Sequence, residues 1–142
     1  MSRETSISVQ IHNAPEDIVS VIKAFQQIGW EFRPEIEYLP LHDEDASNWQ
    51  KEKLSPEELF ALIDEKQRNQ ETIGLILYYH NTEIGIMLLL WQSEQIDILP
   101  DINRKTLKNS DITDISFYLE RTVVKLEEFG YVFTQIDICE TI

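Results

Sequence analysis

The sequence is poor in the residues that form cross-links and phosphate-binding loops. It has one cysteine, Cys139, among 142 residues. Because a single thiol cannot form an intramolecular disulfide, we expect a reducing compartment and a cytoplasmic location. Four glycines are too few for a glycine-rich phosphate loop, and no Gly-x-Ser-x-Gly turn is present to hold a nucleophilic serine. No Lys/Arg cluster and no helix start adjoins Cys139, so we interpret it as a structural thiol.

Basic residues are also scarce. Lysine and arginine together number 12 against 26 aspartates and glutamates, which gives a net charge of −14. Phosphate backbones repel such a chain, which argues against direct binding of nucleic acid. The acidity serves solubility, or it complements a basic protein partner, such as a cationic enzyme held by an acidic inhibitor. Composition leaves both explanations open.

Metal-binding and membrane-spanning patterns are missing as well. None of the three histidines, His12, His42 and His80, lies three or four residues from another His, Cys or Asp on a helix face. Residues 43–54 match the first ligands of a calcium loop, but Asn48 replaces the required glycine and Leu54 the final glutamate. We therefore predict no metal, no cofactor and no catalytic residue. Residues 1–5 lack the apolar core of a signal peptide, and the polar turn 80–83 interrupts the most apolar stretch, so no membrane segment is expected.

The strongest pattern that the sequence does contain spans residues 72–99. Two apolar runs, Ile73–Tyr79 and Ile84–Trp91, flank a short polar turn at Asn81, which tolerates the positive φ of a tight hairpin turn. The predicted cross-strand pairs are Ile73 with Leu90, Leu75 with Leu88, Leu77 with Ile86 and Tyr79 with Ile84. We call the side that these residues share the aliphatic face. Burying each such side chain contributes roughly 1.5–3 kcal/mol, so this face should organise the core.

The opposite side of the hairpin, here called the mixed face, is less uniform. It carries Gly74, Ile76, Tyr78, Gly85, Met87, Leu89 and Trp91. Antiparallel sheets commonly leave one face in water, but this one is too apolar to be fully hydrated. A helix of the same chain covers it, or a partner does. A third strand, Ile96–Leu99, follows a predicted three-residue turn at 93–95, which puts Ile96 and Ile98 on the aliphatic face and turns Asp97 toward Trp91.

The remaining elements are predicted from periodicity and caps. Alternation predicts strands at Ser6–Ile11 and Tyr131–Cys139. Apolar stripes predict three helices: one that starts near Pro15, one that starts after the capping residue Ser55, and one at about Ile112–Phe129 that is capped by Asp111. Residues 31–38 alternate too, but Pro34 restricts them to an edge strand or a bulge. Residues 39–53 are predicted to form a long exposed loop. The sequence thus predicts one α+β domain over 1–142, with a largely antiparallel sheet of about five strands around a central hairpin (about 72–91) and three helices mainly on one face.

These features favour a non-catalytic, acidic protein-binding or regulatory module, for instance an inhibitor or immunity-type protein for a basic partner. The candidate partner-binding residues are Asp43, Glu44, Asp45, Trp49, Tyr78, Met87 and Trp91. Two alternatives stay open. One is a small-molecule-binding or enzymatic domain with a pocket between the sheet and a helix, and the other is a homodimer or larger homo-oligomer that buries the Tyr78, Met87 and Trp91 side of the sheet.

Overall fold

All paired strands belong to one antiparallel sheet in the computed structural model, which describes residues 3–43 and 47–142. The strands are β1 Glu4–Ile11, β2 Trp30–Glu31, β3 Ile36–Tyr38, β4 Gln50–Glu52, β5 Ile73–Tyr79, β6 Gly85–Gln92, β7 Gln95–Ile102 and β8 Phe133–Thr141. The helices are α1 Ile18–Gln27, α2 Pro56–Arg68, α3 Ile115–Arg121 and α4 Val123–Glu128. The order across the sheet is β4-β3-β5-β6-β7-β1-β8, and β2 pairs with the end of β5.

The α+β class holds, but the predicted number of about five strands is wrong. The described residues contain eight, because three short strands, β2, β3 and β4, extend the sheet beyond β5. Pro34 separates β2 from β3, since proline has no N–H for a ladder. β4 lies within the predicted exposed loop and pairs with β3, with Glu37 opposite Lys51.

The central hairpin has the predicted register. Ile73 pairs with Leu90, Leu75 with Leu88 and Leu77 with Ile86, while the Tyr79 N–H donates to the Ile84 carbonyl at 2.9 Å. Asn81 adopts a positive φ of 58° in the turn. The aliphatic face therefore forms as its apolar pattern indicates.

The connection from β6 to β7 differs from the prediction in its length. The turn is two residues, because Gln92 pairs with Gln95, and a register shift between Leu90 and Gln92 supplies the extra residue. This β-bulge restores the predicted orientation, with Ile96 and Ile98 opposite Leu90 and Leu88.

The helix boundaries are partly as predicted. The Ser55 side chain accepts from the Glu58 N–H, and the Glu58 side chain accepts from the Ser55 N–H, so the predicted capping box is confirmed. α1 begins later than predicted and is capped by Asp17, whose side chain accepts from the Ser20 N–H at 3.1 Å. A hydrogen bond from Ser20 to this carboxylate lowers the pKa of Asp17.

The predicted long helix over 112–129 is wrong at its start and in its middle. The cap is Asp114 rather than Asp111, and Thr122 separates α3 from α4. The Thr122 hydroxyl donates to the Tyr118 carbonyl at 2.7 Å, a bond of the kind that bends helices. Ile112 and Phe129, the two ends of the predicted helix, are 45% and 54% exposed.

The helices and the aliphatic face share one buried core. It contains the inward residues of the central strands together with Phe25 of α1, Ile63 of α2, Tyr118 of α3 and Leu126 of α4. Trp30 is also fully buried and donates through its indole N–H to the Arg121 carbonyl at 2.8 Å. The core therefore lies on one side of the sheet, which leaves the other side to be considered as a surface.

Candidate protein-binding surface

The mixed face lies outside the packed core. Its apolar residues Ile76, Tyr78, Met87, Leu89 and Trp91 belong neither to the core cluster nor to the side chains packed against that cluster. Ile76 is buried at 9% exposed, Met87 and Leu89 are half-buried, and Trp91 is 46% exposed. Within the described residues, the helices contribute their buried apolar side chains to the core on the aliphatic side. The mixed face is thus an apolar sheet surface to which no helix in the described part of the chain is packed.

Antiparallel pairing puts the centre of this surface into cross-strand rows. Ile76 lies opposite Met87, and Met87 lies opposite Leu99 of β7. In the next row, Leu89 lies opposite Asp97, whose carboxylate accepts a hydrogen bond from the Trp91 indole N–H at 3.0 Å. We call Ile76, Met87, Leu89, Trp91 and Leu99 the apolar patch. The Asp97 contact fixes the Trp91 ring at its border, so the patch has a defined edge.

One end of the mixed face is covered by Leu39, which follows β3, and by Trp49, which precedes β4. A Cβ added at Gly74 would lie 2.5 Å from a Leu39 methyl carbon and 2.9 Å from the Trp49 ring, so both side chains rest directly on this glycine. Leu39 is buried and Trp49 is half-buried. Glycine permits this close approach because it has no side chain.

A buried lysine of α2 holds that covering segment in place. The Lys66 ammonium donates to the carbonyls of Leu39 at 3.0 Å and Pro40 at 2.8 Å, and Lys66 is 1% exposed. Burial lowers the pKa of Lys66, and the nearby carboxylates of Glu71 and Asp43 partly oppose this effect. The lysine therefore supplies hydrogen bonds to two backbone carbonyls that would otherwise be buried without a donor.

The other end of the mixed face is bordered by Arg33. Its guanidinium lies 4.1 Å from the centre of the Tyr78 ring, and it donates to the Thr82 carbonyl and to the Glu83 carboxylate, both at 3.1 Å. Cation–π contact and the two hydrogen bonds hold the arginine across the tyrosine. This end is therefore already occupied by side chains of the chain itself.

A hollow with two carboxylates adjoins the apolar patch at Leu99. Its volume is about 400 Å³, and it is lined by Glu4, Thr5, Ser6, Leu99, Asp101, Cys139 and Thr141. Burial is the main cause of the raised pKa of Asp101, and the neighbouring Glu4 carboxylate raises it further. A carboxylate that opposes the ionisation of its neighbour favours a cation beside both acids. The border of the patch can thus accept a positively charged group.

The predicted site residues are partly brought together. Trp49, Tyr78, Met87 and Trp91 lie on the mixed side of the sheet, Tyr78 beneath Arg33 and Trp49 on Gly74. Asp43 lies apart from the patch, where its carboxylate accepts from the Asn48 N–H at 2.8 Å. Glu44 and Asp45 lie outside the described residues.

The candidate residues predicted from the sequence did not include Leu99, Glu4 and Asp101. Leu99 could have been predicted, because a strand that turns Asp97 toward Trp91 turns Leu99 to the same side. Glu4 and Asp101 had no local signal, because they are brought together only by the pairing of β1 with β7.

Neither a metal-binding cluster nor a membrane-spanning helix is found in residues 3–43 and 47–142. These residues contain no group of three or more His, Cys, Asp or Glu arranged to hold a metal ion. No helix within 3–43 or 47–142 is long and apolar enough to cross a membrane. The chain matches no protein-family model, and comparisons with curated proteins and with solved structures find no match.

Proposed function

We propose that this chain is a non-catalytic, cytoplasmic protein-binding module, and that it recognises a basic protein through the mixed face of its sheet. The observation that carries the proposal is the apolar patch, which adjoins the carboxylates of Glu4 and Asp101 and against which no helix of residues 3–43 and 47–142 packs. Protein interfaces commonly combine an apolar centre that includes aromatic side chains and methionine with a polar rim. Met87 lies at that centre here, and Trp91 adds an aromatic side chain at its border.

The charge of the chain supports a cationic partner. The net charge is −14, and the border of the patch carries Asp97, Asp101 and Glu4. A lysine or arginine of the partner fits the hollow at Leu99, where its charge relieves the repulsion between the two acids. Long-range attraction between opposite charges also accelerates encounter, and salt screens it.

The experiment is affinity capture from the native source with the wild-type chain and a matched pair of variants. Met87→Lys introduces a cation at the centre of the patch, and Leu107→Lys introduces the same charge at a site that is 46% exposed and lies on the connector after β7. We expect one basic protein to be retained by the wild type and by Leu107→Lys, and to be lost with Met87→Lys. Its binding should weaken as salt concentration rises.

Two outcomes contradict this proposal. If Met87→Lys retains the partner as well as the wild type does, the patch is not the binding surface. If the retained protein is acidic, or if binding is indifferent to salt, charge complementarity is not the basis of recognition. A second Lys variant, Leu89→Lys, guards against an effect peculiar to position 87.

A small-molecule site is the second candidate, and one observation favours it. A half-open hollow of about 340 Å³ lies beside α1 and α2 and is lined mainly by apolar side chains, among them Trp30, Phe32, Ile36, Leu54 and Phe60. Its lining fits an apolar ligand, because ligand pockets are predominantly hydrophobic with a few polar groups. Native mass spectrometry of the purified chain tests this alternative directly, since a bound apolar compound would add its mass to that of the protein.

A further inference from the structure

The two ends of the sheet differ in how they are protected against pairing with another strand. β4 ends the sheet with three residues, Gln50–Glu52, of which Lys51 and Glu52 are charged. β8 ends it with nine residues, Phe133–Thr141, which contain no lysine, arginine or proline. Proteins usually block exposed edges with short strands, charges, proline or bulges. β8 has one register shift, near its start and opposite Gln10 and Ile11, and pairs with β1 without a further shift after it.

The pairing of β1 shows which backbone N–H and C=O groups of β8 have no partner strand among the described residues. The Ile11 N–H donates to the Glu94 carbonyl on the β7 side at 2.8 Å. Since the direction of backbone groups alternates along a strand, Ser6 and Ser8 point toward β8. Their partners Cys139 and Asp137 are therefore bonded to β1, which leaves the N–H and C=O groups of Ile136, Ile138 and Glu140 directed away from the sheet. No other strand of the described residues lies beyond β8.

Apolar side chains accompany this free edge. Ile136 and Ile138 are opposite Val9 and Ile7 and so extend the aliphatic face, yet they are 44% and 46% exposed. Only Asp137 and Glu140 carry charge on the strand. Glu140 is turned inward, where its carboxylate accepts from the Thr5 hydroxyl at 2.9 Å and the Thr113 N–H at 3.1 Å.

We propose that β8 is a dimerisation edge, with a second copy of this chain pairing antiparallel to it about a twofold axis at Ile138. The unshifted part of β8 runs from Gln135 to Thr141 and has Ile138 at its centre. This register places Ile138 against Ile138 of the second copy. It also places Asp137 against Cys139 and Gln135 against Thr141, so no like charges are opposed. Centring the axis on Asp137 would oppose two aspartates, which is destabilising.

The proposed dimer is a single sheet across two chains, with the helices of both copies on one side and both mixed faces on the other. The symmetry is that of the commonest soluble oligomer, a closed twofold dimer. The net charge of −14 on each copy opposes association, so salt should tighten the dimer by screening this repulsion. The salt dependence is thus opposite in sign to that expected for a basic partner.

The first test is the mass of the full-length chain in solution, measured by light scattering and sedimentation over a wide concentration range. We expect the wild type to approach twice the mass of one chain, and Ile138→Lys to remain at the mass of one chain. Leu107→Lys is the matched control, because both side chains are 46% exposed and gain the same charge. We expect it, and Met87→Lys on the mixed face, to dimerise as the wild type does.

The second test does not depend on the folding of Ile138→Lys. Asp137→Cys places a new thiol opposite Cys139 of the second copy, whereas Thr141→Cys places one on the same strand and the same side but far from it. Mild oxidation should convert Asp137→Cys to a covalent dimer and leave Thr141→Cys largely uncross-linked. A monomeric wild type, a dimer that Ile138→Lys leaves intact, or equal cross-linking of the two cysteine variants would each overturn the proposal. A dimer lost with Met87→Lys but kept with Ile138→Lys would assign the interface to the mixed face instead.

Discussion

Met87 and Leu88 are neighbours on β6 and are of similar size and hydrophobicity, but they meet different surroundings. Leu88 is 0% exposed, and its side chain lies in the core between the sheet and the helices. Met87 points to the opposite side, where it is half-buried among the residues of the apolar patch. The hydrophobicity of a strand residue therefore does not decide whether it is core. What decides is whether another element of the chain packs against its side of the sheet.

The largest expected effect is the difference between truncating these two residues. Leu88→Ala should lower the free energy of unfolding by about 2–5 kcal/mol, because it leaves a cavity in a packed core. Met87→Ala should cost no more than about 1 kcal/mol, because water already reaches that side chain. Urea denaturation of the two variants measures both values. Equal losses would mean that the mixed face is packed as tightly as the aliphatic face.

The covered end of the mixed face provides the next test. Gly74→Ala brings a methyl group to 2.5 Å from Leu39 and 2.9 Å from Trp49, and such overpacking costs typically about 1–3 kcal/mol. The cost should fall when Trp49 is also changed to alanine, since the ring then no longer opposes the methyl group. Chemical denaturation of the single and double variants gives the coupling free energy. Strict additivity would show that Trp49 does not rest on Gly74.

The parts of this fold that were predictable have local causes. The hairpin register follows from alternating positions over Ile73–Trp91, since a slip by one residue would exchange the two faces. The capping box at Ser55 requires only residues three apart. In contrast, Gln50–Glu52 has no apolar pattern, and it becomes a strand through pairing with β3. Such a strand depends on tertiary pairing that a local pattern does not contain.

The candidate site was predictable to a similar extent. Tyr78, Met87 and Trp91 share a side because strand residues alternate, so their grouping follows from the sequence alone. The position of Trp49 on Gly74 depends on how the chain returns from β3 to β4, and no spacing rule gives that path. The end of α3 at Thr122 was not predicted, because the apolar stripe continues through this residue. The break coincides with the hydrogen bond from the Thr122 hydroxyl to the Tyr118 carbonyl.

The aliphatic face also has a polar end, and the smallest expected effect concerns its pH dependence. Thr5 and Thr113 are 2% exposed there, and the Glu140 carboxylate bonds to both hydroxyls. Arg104 lies 3.7 Å from the same carboxylate. The hydrogen bond from Thr113 is the main cause of the lowered pKa of Glu140. Because the folded state favours the ionised form, Glu140 stabilises the protein above its ordinary pKa of about 4.3. That contribution is lost as pH falls through the lowered value.

Glu140→Gln should therefore be less stable than the wild type at pH 7, and the two stabilities should converge as pH falls below about 4.3. Thermal unfolding followed by circular dichroism over this pH range measures the convergence. Glu127→Gln is the matched control, because it removes the same charge from an exposed position on α4, and it should stay close to the wild type at pH 7. If the gap between Glu140→Gln and the wild type instead widens as pH falls, ionised Glu140 does not stabilise the fold. The polar end of the aliphatic face would then be held by Thr5, Thr113 and Arg104 without it.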